Sequence, residues 1–242
     1  IIFDLDGTAV PNKKDGMPSQ SLIDLVQKIK DKIFVSAATG RRIFECRSIL
    51  NSLQLTSPCI ILGGTQILDP VSEKILWEKL MPIETVKKII TVAKVFDYKL
   101  YMSNEAKSSL AIEKIITGPE NIIYIMDVNK NHTDVLLNKL SEIPDITAHP
   151  VPSYTPENFD IHITHKDATK KQALEILFDI LKVNKEEVMG FGDGNNDLPI
   201  FEAVGYKVAM GNASPELKNI ADFIAQSAKE DGLAKAVERL VI

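Results

Sequence analysis

Short apolar runs alternate with amphipathic segments over the first part of the chain. The runs are bulky enough to predict buried strands, and the segments between them repeat apolar positions at helical spacing. Ser19 is placed to cap the first helix, after a polar loop from Pro11 to Pro18. The predicted strands are Ile1–Leu5, Lys32–Ala38 and Cys59–Leu62, and the helix positions are Leu22, Leu25, Val26 and Ile29, then Ile43, Cys46, Ile49 and Leu50.

The pattern changes between about Leu68 and Lys166. A hairpin is predicted about Asp69-Pro70, and two amphipathic helices then lie among several strand-like segments. The helix positions are Val86, Ile89, Ile90 and Ala93, then Val135, Leu136 and Leu140, and the strands are Lys99–Met102, Ile122–Met126, Ile146–Ala148 and Asp160–Thr164. Helices with a run of strands predict an α+β layer. We therefore expect an inserted domain, entered near residue 80 and left near residue 166.

The strand and helix alternation resumes after this insert. Thr169–Leu181 predicts a helix, Val188–Gly192 and Tyr206–Ala209 predict strands, and further helices end the chain. This order indicates an α/β fold with a parallel sheet and right-handed crossovers. Ligands of such sheets bind at the carboxyl ends of the strands. The rule brings together the residues that follow the predicted strands, namely Asp4, Asp6, Thr39 and Asp193.

Composition and charge narrow the class of protein. The chain has 242 residues and a net charge of −5, without a basic stripe interleaved with aromatic residues, so we expect no nucleic-acid partner. Because no apolar segment approaches a membrane span and no signal-peptide pattern is present, we expect no membrane partner. Cys46 and Cys59 lack metal-ligand spacing and are expected to be reduced core thiols. We predict a cytoplasmic location.

Asp4 and Asp6 are the first candidates for chemistry. They end an apolar run, and Gly7 permits the chain to turn away directly after them. Because strand side chains alternate, a strand continuing through Leu5 would place both carboxylates on one side. Burying them is costly unless a cation or hydrogen-bond donors are present. On these residues alone, a metal site and a solvated Asx-type turn both stay open.

Four motifs occur in order along the chain. They are Asp4-Leu5-Asp6-Gly7-Thr8, Thr39-Gly40-Arg41, Lys170 and Gly192-Asp193-Gly194-Asn195-Asn196-Asp197. With the stretch from Val208 to Ala213 and the position of the insert, they resemble the haloacid dehalogenase-like phosphatases of the Cof type, the branch of sucrose-phosphatase-like and archaeal phosphoglycolate phosphatase-like proteins. The resemblance implies a Rossmann-like three-layer core with a parallel sheet, residues 1–80 and 167–242, and a smaller inserted α+β cap, residues 81–166, that acts as a substrate-specificity lid.

The resemblance also implies a mechanism for the motif residues. Asp4 is expected to form an aspartyl-phosphate, and Asp6 is expected to act as general acid and then general base. Mg²⁺ is expected on the Asp4 carboxylate, the Asp6 backbone carbonyl and Asp193. Thr39 and Lys170 are expected to hold phosphoryl oxygens. Such groups suit the chemistry because a phosphate dianion repels a carboxylate nucleophile until its charge is cancelled.

Other residues receive supporting or substrate-binding roles from the same resemblance. The supporting residues are Gly7, Asn196 and Asp197, which are expected to shape the turn and to orient Lys170 and the metal ligands. The candidate substrate contacts of the core are Gly40, Arg41 and Gly64. In the insert, Tyr154, Glu105 and Lys107 are candidate cap contacts, and His162 and His165, near its exit, are expected to be ordinary strand-end residues rather than ligands. The chain departs from its relatives at Gly63-Gly64, where they usually have Asn-Gly, so any substrate contact made by that Asn is in doubt.

Several of these residues also have a structural interpretation. Asp6 could serve as a turn former and carbonyl donor, and Thr39 as a helix N-cap. Arg41 could lie on the helix surface instead of reaching the substrate. Lys171 stands beside Lys170, at a position where relatives often have Gly. Helical geometry points the two lysines in different directions, so one of them serves the site, and we favour Lys170.

We therefore predict a Mg²⁺-dependent phosphatase that acts on a small phosphorylated metabolite, either a sugar phosphate or a phosphoglycolate-like compound. One alternative is a phosphotransferase of the phosphomannomutase type, which passes the phosphoryl group to a sugar. Another is a non-catalytic module that binds metal or sugar phosphate and needs neither a nucleophile nor an acid. The sequence leaves the physiological substrate and the oligomeric state open, because specificity resides in loops whose positions it does not define.

Overall fold

The computed structural model describes the backbone of residues 1–11, 16–104, 107–110 and 118–242, and the side chains of these residues except 103–104 and 107–110. The chain forms two compact units, Ile1–Trp77 with Thr169–Ile242 and Glu78–Ala168. Part of the predicted loop from Pro11 to Pro18, the candidate contact Glu105 and the side chain of Lys107 lie outside what is described. The role of the second unit as a substrate-specificity lid stays a prediction.

The described elements are numbered here in chain order. The strands are β1 (Ile2–Phe3), β2 (Ser36–Ala37), β3 (Cys59–Ile61), β4 (Gln66–Leu68), β5 (Ile75–Glu78), β6 (Leu100–Asn104), β7 (Lys107–Leu110), β8 (Ile122–Val128), β9 (Ile146–Pro152), β10 (Phe159–His165), β11 (Met189–Gly192), β12 (Tyr206–Ala209) and β13 (Phe223–Ile224). The helices are α1 (Gln20–Ile29), α2 (Ile43–Ser52), α3 (Ile83–Lys94), α4 (Lys130–Ser141), α5 (Lys170–Leu181), α6 (Leu198–Ala203), α7 (Pro215–Asn219) and α8 (Gly232–Val241).

The first unit is built on a five-stranded parallel sheet. Its strands lie in the order β13, β12, β11, β1, β2. β1 therefore lies between β11 and β2, with Phe3 opposite Phe191 on one side and Ala37 on the other. All three side chains are buried, and α1 contacts α8 while α5 contacts α6. This arrangement places the carboxyl ends of β2, β1 and β11 side by side at one edge of the sheet.

Two strands of this sheet, β1 and β2, are shorter than the apolar runs that predict them, whereas β12 has the predicted bounds Tyr206–Ala209. The run Lys32–Ala38 contributes Ser36–Ala37 to the sheet, and Phe34 is 49 % exposed. β1 ends at Phe3, so the prediction that Asp4 and Asp6 continue one pleated strand is wrong. The chain turns instead, because the carbonyl of Leu5 accepts hydrogen bonds from later backbone N–H groups and Asp6 forms an isolated bridge with Val10.

The third predicted strand, β3, has a different main partner from the one expected. It pairs antiparallel with β4, and β5 completes a separate three-stranded sheet. One parallel bridge, between Ala38 and Ile60, joins it to the end of β2. The chain reverses direction after β3 because Gly63 and Gly64 both adopt positive φ. The hairpin predicted about Asp69-Pro70 is present as β4 and β5.

The described part of the second unit has an antiparallel sheet and two helices. Its strands lie in the order β7, β6, β8, β10, β9, and β7 was not predicted. The apolar faces of α3 and α4 share a core with the sheet, but Val135 is 48 % exposed and Thr133 is buried in the α4 face instead. The predicted fold class, an α/β core with a parallel sheet and an α+β insert, is confirmed. Among the described helices, none is long and apolar enough to cross a bilayer.

Candidate active site

The ends of three neighbouring parallel strands carry the predicted site residues. Asp4 directly follows β1, Asp193 directly follows β11, and Thr39 lies two residues after β2. Backbone hydrogen bonds continue past the strands, since the N–H of Asp4 donates to the carbonyl of Phe191 at 3.1 Å. The sheet therefore delivers the motif residues to one edge, as the alternating sequence pattern predicts.

Lys170 links two buried carboxylates at this edge. Its Nζ donates to Oδ1 of Asp4 at 2.8 Å and to Oδ1 of Asp197 at 2.7 Å. The lysine is 5 % exposed, Asp4 is 3 % exposed, and Asp197 is fully buried. Lys171 points elsewhere and pairs with Glu202 at 3.1 Å on the surface. Of the two adjacent lysines, Lys170 is therefore the one that contacts the predicted nucleophile.

Burial and charge act in opposite directions on this group of side chains. Burial raises the pKa of Asp4 to about 7, while the ammonium of Lys170 opposes the rise. Burial alone would lower the pKa of Lys170, but the carboxylates of Asp197 and Asp4 outweigh it and hold that pKa above its ordinary value. The lysine is therefore a fixed cation, and the Asp4 carboxyl depends on nearby positive charge to remain ionised.

Asp197 organises the loop after β11. Its Oδ2 accepts the backbone N–H groups of Asp193 and Gly194, each at 3.1 Å. Its Oδ1 accepts Nδ2 of Asn196 at 3.2 Å in addition to Lys170. Because these four donors occupy its oxygens, Asp197 is suited to orienting Lys170 and the loop. This geometry agrees with the supporting role that the resemblance implies.

Asp193 is fixed by the loops that follow β1 and β12. Oγ1 of Thr8 donates to its Oδ1 at 3.2 Å, and Nδ2 of Asn212 donates to its Oδ2 at 3.2 Å. Nδ2 of Asn212 also donates to the carbonyl of Gly7 at 2.9 Å. Gly7 has φ of 85°, and a Cβ at this position would overlap the Asp193 carboxylate. Gly7 is thus required both for the turn and for the approach of Asp193.

Asn212 is a site residue that sequence reasoning did not single out. The segment that contains it, Val208 to Ala213, is similar to a segment of the Cof-type branch, but the sequence assigns no contact to Asn212. The amide joins positions 205 residues apart in the chain, Asn212 and Gly7. The signal available in the sequence was the turn after β12, because the parallel strands of one sheet deliver their following loops to the same edge.

Three carboxylates form a candidate metal centre. One oxygen each from Asp4, Asp193 and Asp197 lies within 4.8 Å of the other two. Carboxylate oxygens are hard donors, the type that Mg²⁺ takes in proteins. Since the oxygens of Asp197 already accept four hydrogen bonds, Asp4 and Asp193 are the better suited ligands. The residues present therefore fit a divalent cation.

Thr39 is fully buried and shapes the loop after β2. Its Oγ1 accepts the backbone N–H of Arg41 at 3.1 Å, and its carbonyl accepts the N–H of Gly63 at 3.0 Å. α2 begins at Ile43 with Arg42 as its N-cap residue. The interpretation of Thr39 as the N-cap is therefore wrong. Gly40 is exposed at this loop, with open space where a Cβ would lie.

Arg41 forms a two-pronged ion pair with Asp6. Its Nε donates to Oδ2 at 2.9 Å, and its Nη2 donates to Oδ1 at 2.6 Å. The hydrogen bonding of the guanidinium to Asp6 outweighs partial burial and raises the pKa of Arg41 above its ordinary value. The two interpretations of Arg41, substrate contact and helix surface, both missed this pairing. It joins the turn after β1 to the loop before α2.

Gly64 lies against the start of α5. It has φ of 109°, and a Cβ at this position would lie 2.5 Å from the backbone nitrogen of Lys170. Thr169 caps the helix by accepting the N–H of Gln172 with its side chain at 3.2 Å. Because Gly64 has no side chain, the turn after β3 can pack against the backbone of Thr169 and Lys170 at the start of α5.

The candidate residues of the second unit have local contacts. Burial lowers the pKa of His162, whose ring lies edge-on to Tyr124 with centroids 4.8 Å apart. Burial also lowers the pKa of His165, whose Nδ1 accepts the N–H of Asp167 at 3.1 Å. Tyr154 is 91 % exposed. These contacts are consistent with the structural interpretation of the two histidines.

The chain matches the family model for haloacid dehalogenase-like hydrolases over residues 1–145 and 101–237. It therefore belongs to the haloacid dehalogenase-like hydrolase family. The resemblance inferred from the four motifs is confirmed, and so is the prediction that the chain is an enzyme of the hydrolase class.

Three comparisons show how similar the chain is to known proteins. It is 42 % identical over 83 residues to a phosphoglycolate phosphatase of Methanothermobacter thermautotrophicus, a match that covers 34 % of this chain and 38 % of that protein. It is 26 % identical over 251 residues to a 5-amino-6-(5-phospho-D-ribitylamino)uracil phosphatase of Bacillus subtilis, covering 100 % of this chain and 95 % of that protein. A haloacid dehalogenase-like hydrolase structure from Bacteroides thetaiotaomicron superposes with a TM-score of 0.85 at 23 % identity, covering 99 % and 98 % of the two chains. The last comparison supports the fold.

Proposed function

We propose that the protein is a Mg²⁺-dependent phosphatase that hydrolyses a small phosphorylated metabolite through an aspartyl-phosphate. The observation that carries the proposal is the contact of Lys170 with Asp4 at 2.8 Å, beside the carboxylate of Asp193. A binding module needs positive charge for a phosphate, but it does not need a buried carboxylate aimed at the same place. Family membership and the phosphatase names of both curated relatives support the same reaction.

In the first half-reaction, Asp4 attacks the phosphorus atom of the monoester. Lys170 donates a hydrogen bond to Oδ1 of Asp4 and thereby restricts the position of this oxygen. The same ammonium favours the ionised form of Asp4 against burial, which raises its pKa to about 7. Asp4 and Asp193, with the backbone carbonyl of Asp6, would hold Mg²⁺, which supplies charge neutralisation at the phosphoryl group when bound.

Phosphoryl oxygens are proposed to contact Lys170 and the Thr39 hydroxyl, which would stabilise the negative charge of the transferring group. As the bond from phosphorus to the leaving oxygen breaks, the carboxyl of Asp6 gives that oxygen a proton. In the second half-reaction, Asp6 takes a proton from the water that attacks the aspartyl-phosphate. Phosphate then leaves, and Asp4 and Asp6 return to their starting forms.

The nature of the substrate is a separate part of the proposal. The named activities of the relatives suggest two classes to test, phosphoglycolate and phosphorylated sugar or ribityl compounds. We further propose that residues 81–166 select among these compounds as a specificity lid, and that Gly40 and Gly64 flank the phosphoryl group. Loops usually determine such selectivity in enzymes that share a fold. A screen of phosphorylated sugars, phosphoglycolate and nucleotides would identify the preferred class.

Hydrolysis of p-nitrophenyl phosphate tests the proposed mechanism. Turnover is expected to require Mg²⁺ and to fall by at least about 10³-fold in Asp4→Asn, because the nucleophile is lost. Asp24→Asn is the matched control, since Asp24 is exposed and bonded to Gln20 on α1. Full activity in Asp4→Asn, or turnover independent of metal, would contradict the mechanism. Transfer between sugar phosphates without net phosphate release would favour the mutase instead.

A further inference from the structure

Hydrogen bonds hold both the side chain and the backbone of Arg41. Its guanidinium contacts both carboxylate oxygens of Asp6, at 2.6 and 2.9 Å, and its Nη1 donates to the carbonyl of Glu45 at 3.0 Å. Its backbone N–H donates to Oγ1 of Thr39 at 3.1 Å, and its backbone carbonyl accepts the N–H of Leu62 at 2.9 Å. Arg41 therefore links the loop after β2, the first turn of α2 and the turn after β1.

The fork of this arginine restricts the carboxylate it holds. A single hydrogen bond leaves a carboxylate free to rotate about its bond to Cβ, whereas two parallel bonds to a planar guanidinium fix its plane. The side chain of Asp6 is 22 % exposed and that of Arg41 is 15 % exposed. Asp6 lies beyond the end of β1, where its backbone forms an isolated bridge with Val10. This bridge leaves the side chain free to rotate, so the fork of Arg41 is what fixes the plane of the Asp6 carboxylate.

We propose that Arg41 is a positioning residue for Asp6, and that it acts on the reaction through this carboxylate rather than by contact with the phosphoryl group. The inference rests on the proposed function, in which Asp6 protonates the leaving oxygen as the phosphorus–oxygen bond breaks. Proton transfer in the transition state requires hydrogen-bond reach and alignment. The arginine keeps the acid aimed at the leaving group, and Thr39 and Glu45 keep the arginine in place.

Comparing two substrates with different leaving groups distinguishes a positioning role of Arg41 from a general structural role. A p-nitrophenolate leaves readily without a proton, whereas the alkoxide of glycerol phosphate requires one. A misplaced Asp6 should therefore slow the alkyl ester far more than the aryl ester. A damaged site, or a lost phosphoryl contact, should slow both esters alike. Single-turnover release of the alcohol isolates the first half-reaction from the later attack of water.

Arg41→Lys is the variant of choice because it keeps the positive charge and removes the fork. Single-turnover rates are expected to fall about 10- to 100-fold for glycerol phosphate and less than about threefold for p-nitrophenyl phosphate. Competitive inhibition by inorganic phosphate should stay unchanged. Arg42→Lys is the matched control at the next residue, because Arg42 pairs with Glu45 and lies over the Phe44 ring. It should leave both rates unchanged.

Two further variants complete the test. Arg41→Gln should reproduce the same selective loss if Arg41→Lys does not fold. In an Asp6→Asn background, Arg41→Lys should cause no additional loss with glycerol phosphate, because the group it positions is already removed. Equal losses for both esters, weaker inhibition by phosphate, or additive losses in the double variant would overturn the proposal. Activity that survives in Asp4→Asn would instead overturn the proposed function, so the two failures are distinct.

Discussion

Lys170 connects three parts of the core unit through one ammonium group. It begins α5, contacts Asp4 after β1, and contacts Asp197 in the loop after β11. Buried charges are tolerated when they are paired and hydrogen-bonded, but loss of one partner leaves the others without compensation. The lysine is therefore expected to matter for stability as well as for chemistry.

Lys170→Met and Lys171→Met form a matched pair of substitutions on adjacent positions of one helix. Lys170→Met is expected to abolish phosphatase activity and to lower the free energy of unfolding by about 3–5 kcal/mol. Lys171→Met removes a surface pair with Glu202 and should cost less than about 1 kcal/mol. Urea unfolding monitored by circular dichroism measures both values. Equal effects of the two substitutions would contradict the assignment of Lys170.

The identities of the motif residues were predictable, whereas several of their contacts were not. Asp4, Thr39 and Asp193 could be placed at one edge because parallel strands end there, whereas Lys170, at the start of α5, was assigned from the resemblance. The pairing of Arg41 with Asp6 joins positions 35 residues apart. It depends on the path of a loop that periodicity does not describe. Residue type and strand order thus predict which groups meet, and loop geometry decides how they are oriented.

The turn between β3 and β4 supports the site through its contact with α5. Gly64 approaches the first backbone nitrogen of the helix so closely that a side chain does not fit, while Gly63 has open space where its Cβ would lie. Both residues adopt positive φ, so each disfavours substitution. A substitution at Gly63 therefore adds backbone strain alone, whereas one at Gly64 also displaces the start of α5.

Gly64→Ala is expected to reduce activity by at least about tenfold, because the start of α5 must move and Lys170 moves with it. Gly63→Ala should lower stability by about 1 kcal/mol through its positive φ and should keep most of the activity. Steady-state kinetics and thermal unfolding of the two variants measure these effects. If Gly63→Ala lost as much activity as Gly64→Ala, the contact with α5 would not explain the role of Gly64.

Strand lengths show where prediction from the pattern reaches its limit. Strands β1 and β2 have two residues each, Ile2–Phe3 and Ser36–Ala37, although their apolar runs are longer. Leu5, Val35 and Ala38 lie beyond the ladders and are still buried, so hydrophobicity alone does not mark the end of a strand. Helix faces were more predictable, since Leu22, Leu25, Val26 and Ile29 are all buried as expected. A ten-residue helix such as α1 repeats its apolar positions over several turns, whereas a two-residue strand has no repeat to detect.

Each of the two compact units has a hydrophobic cluster of its own. The carboxylates Asp4, Asp193 and Asp197 belong to the unit formed by Ile1–Trp77 with Thr169–Ile242.

The contribution of Asp4 to the free energy of unfolding depends on whether its carboxyl group is protonated. Because its folded pKa, about 7, exceeds its ordinary value of 3.8, Asp4 stabilises the fold at acidic pH, and this contribution is lost as the pH rises through about 7.

Mg²⁺ is expected to raise the melting temperature more at about pH 8 than at about pH 5.5, because below the Asp4 pKa a cation must displace a proton. Thermal unfolding with and without Mg²⁺ at the two pH values measures the difference. Asp193→Asn should remove most of the shift, whereas Asp24→Asn, on the exposed face of α1, should retain it. A shift that is equal at both pH values, or that persists in Asp193→Asn, would show that the cation binds away from this carboxylate cluster.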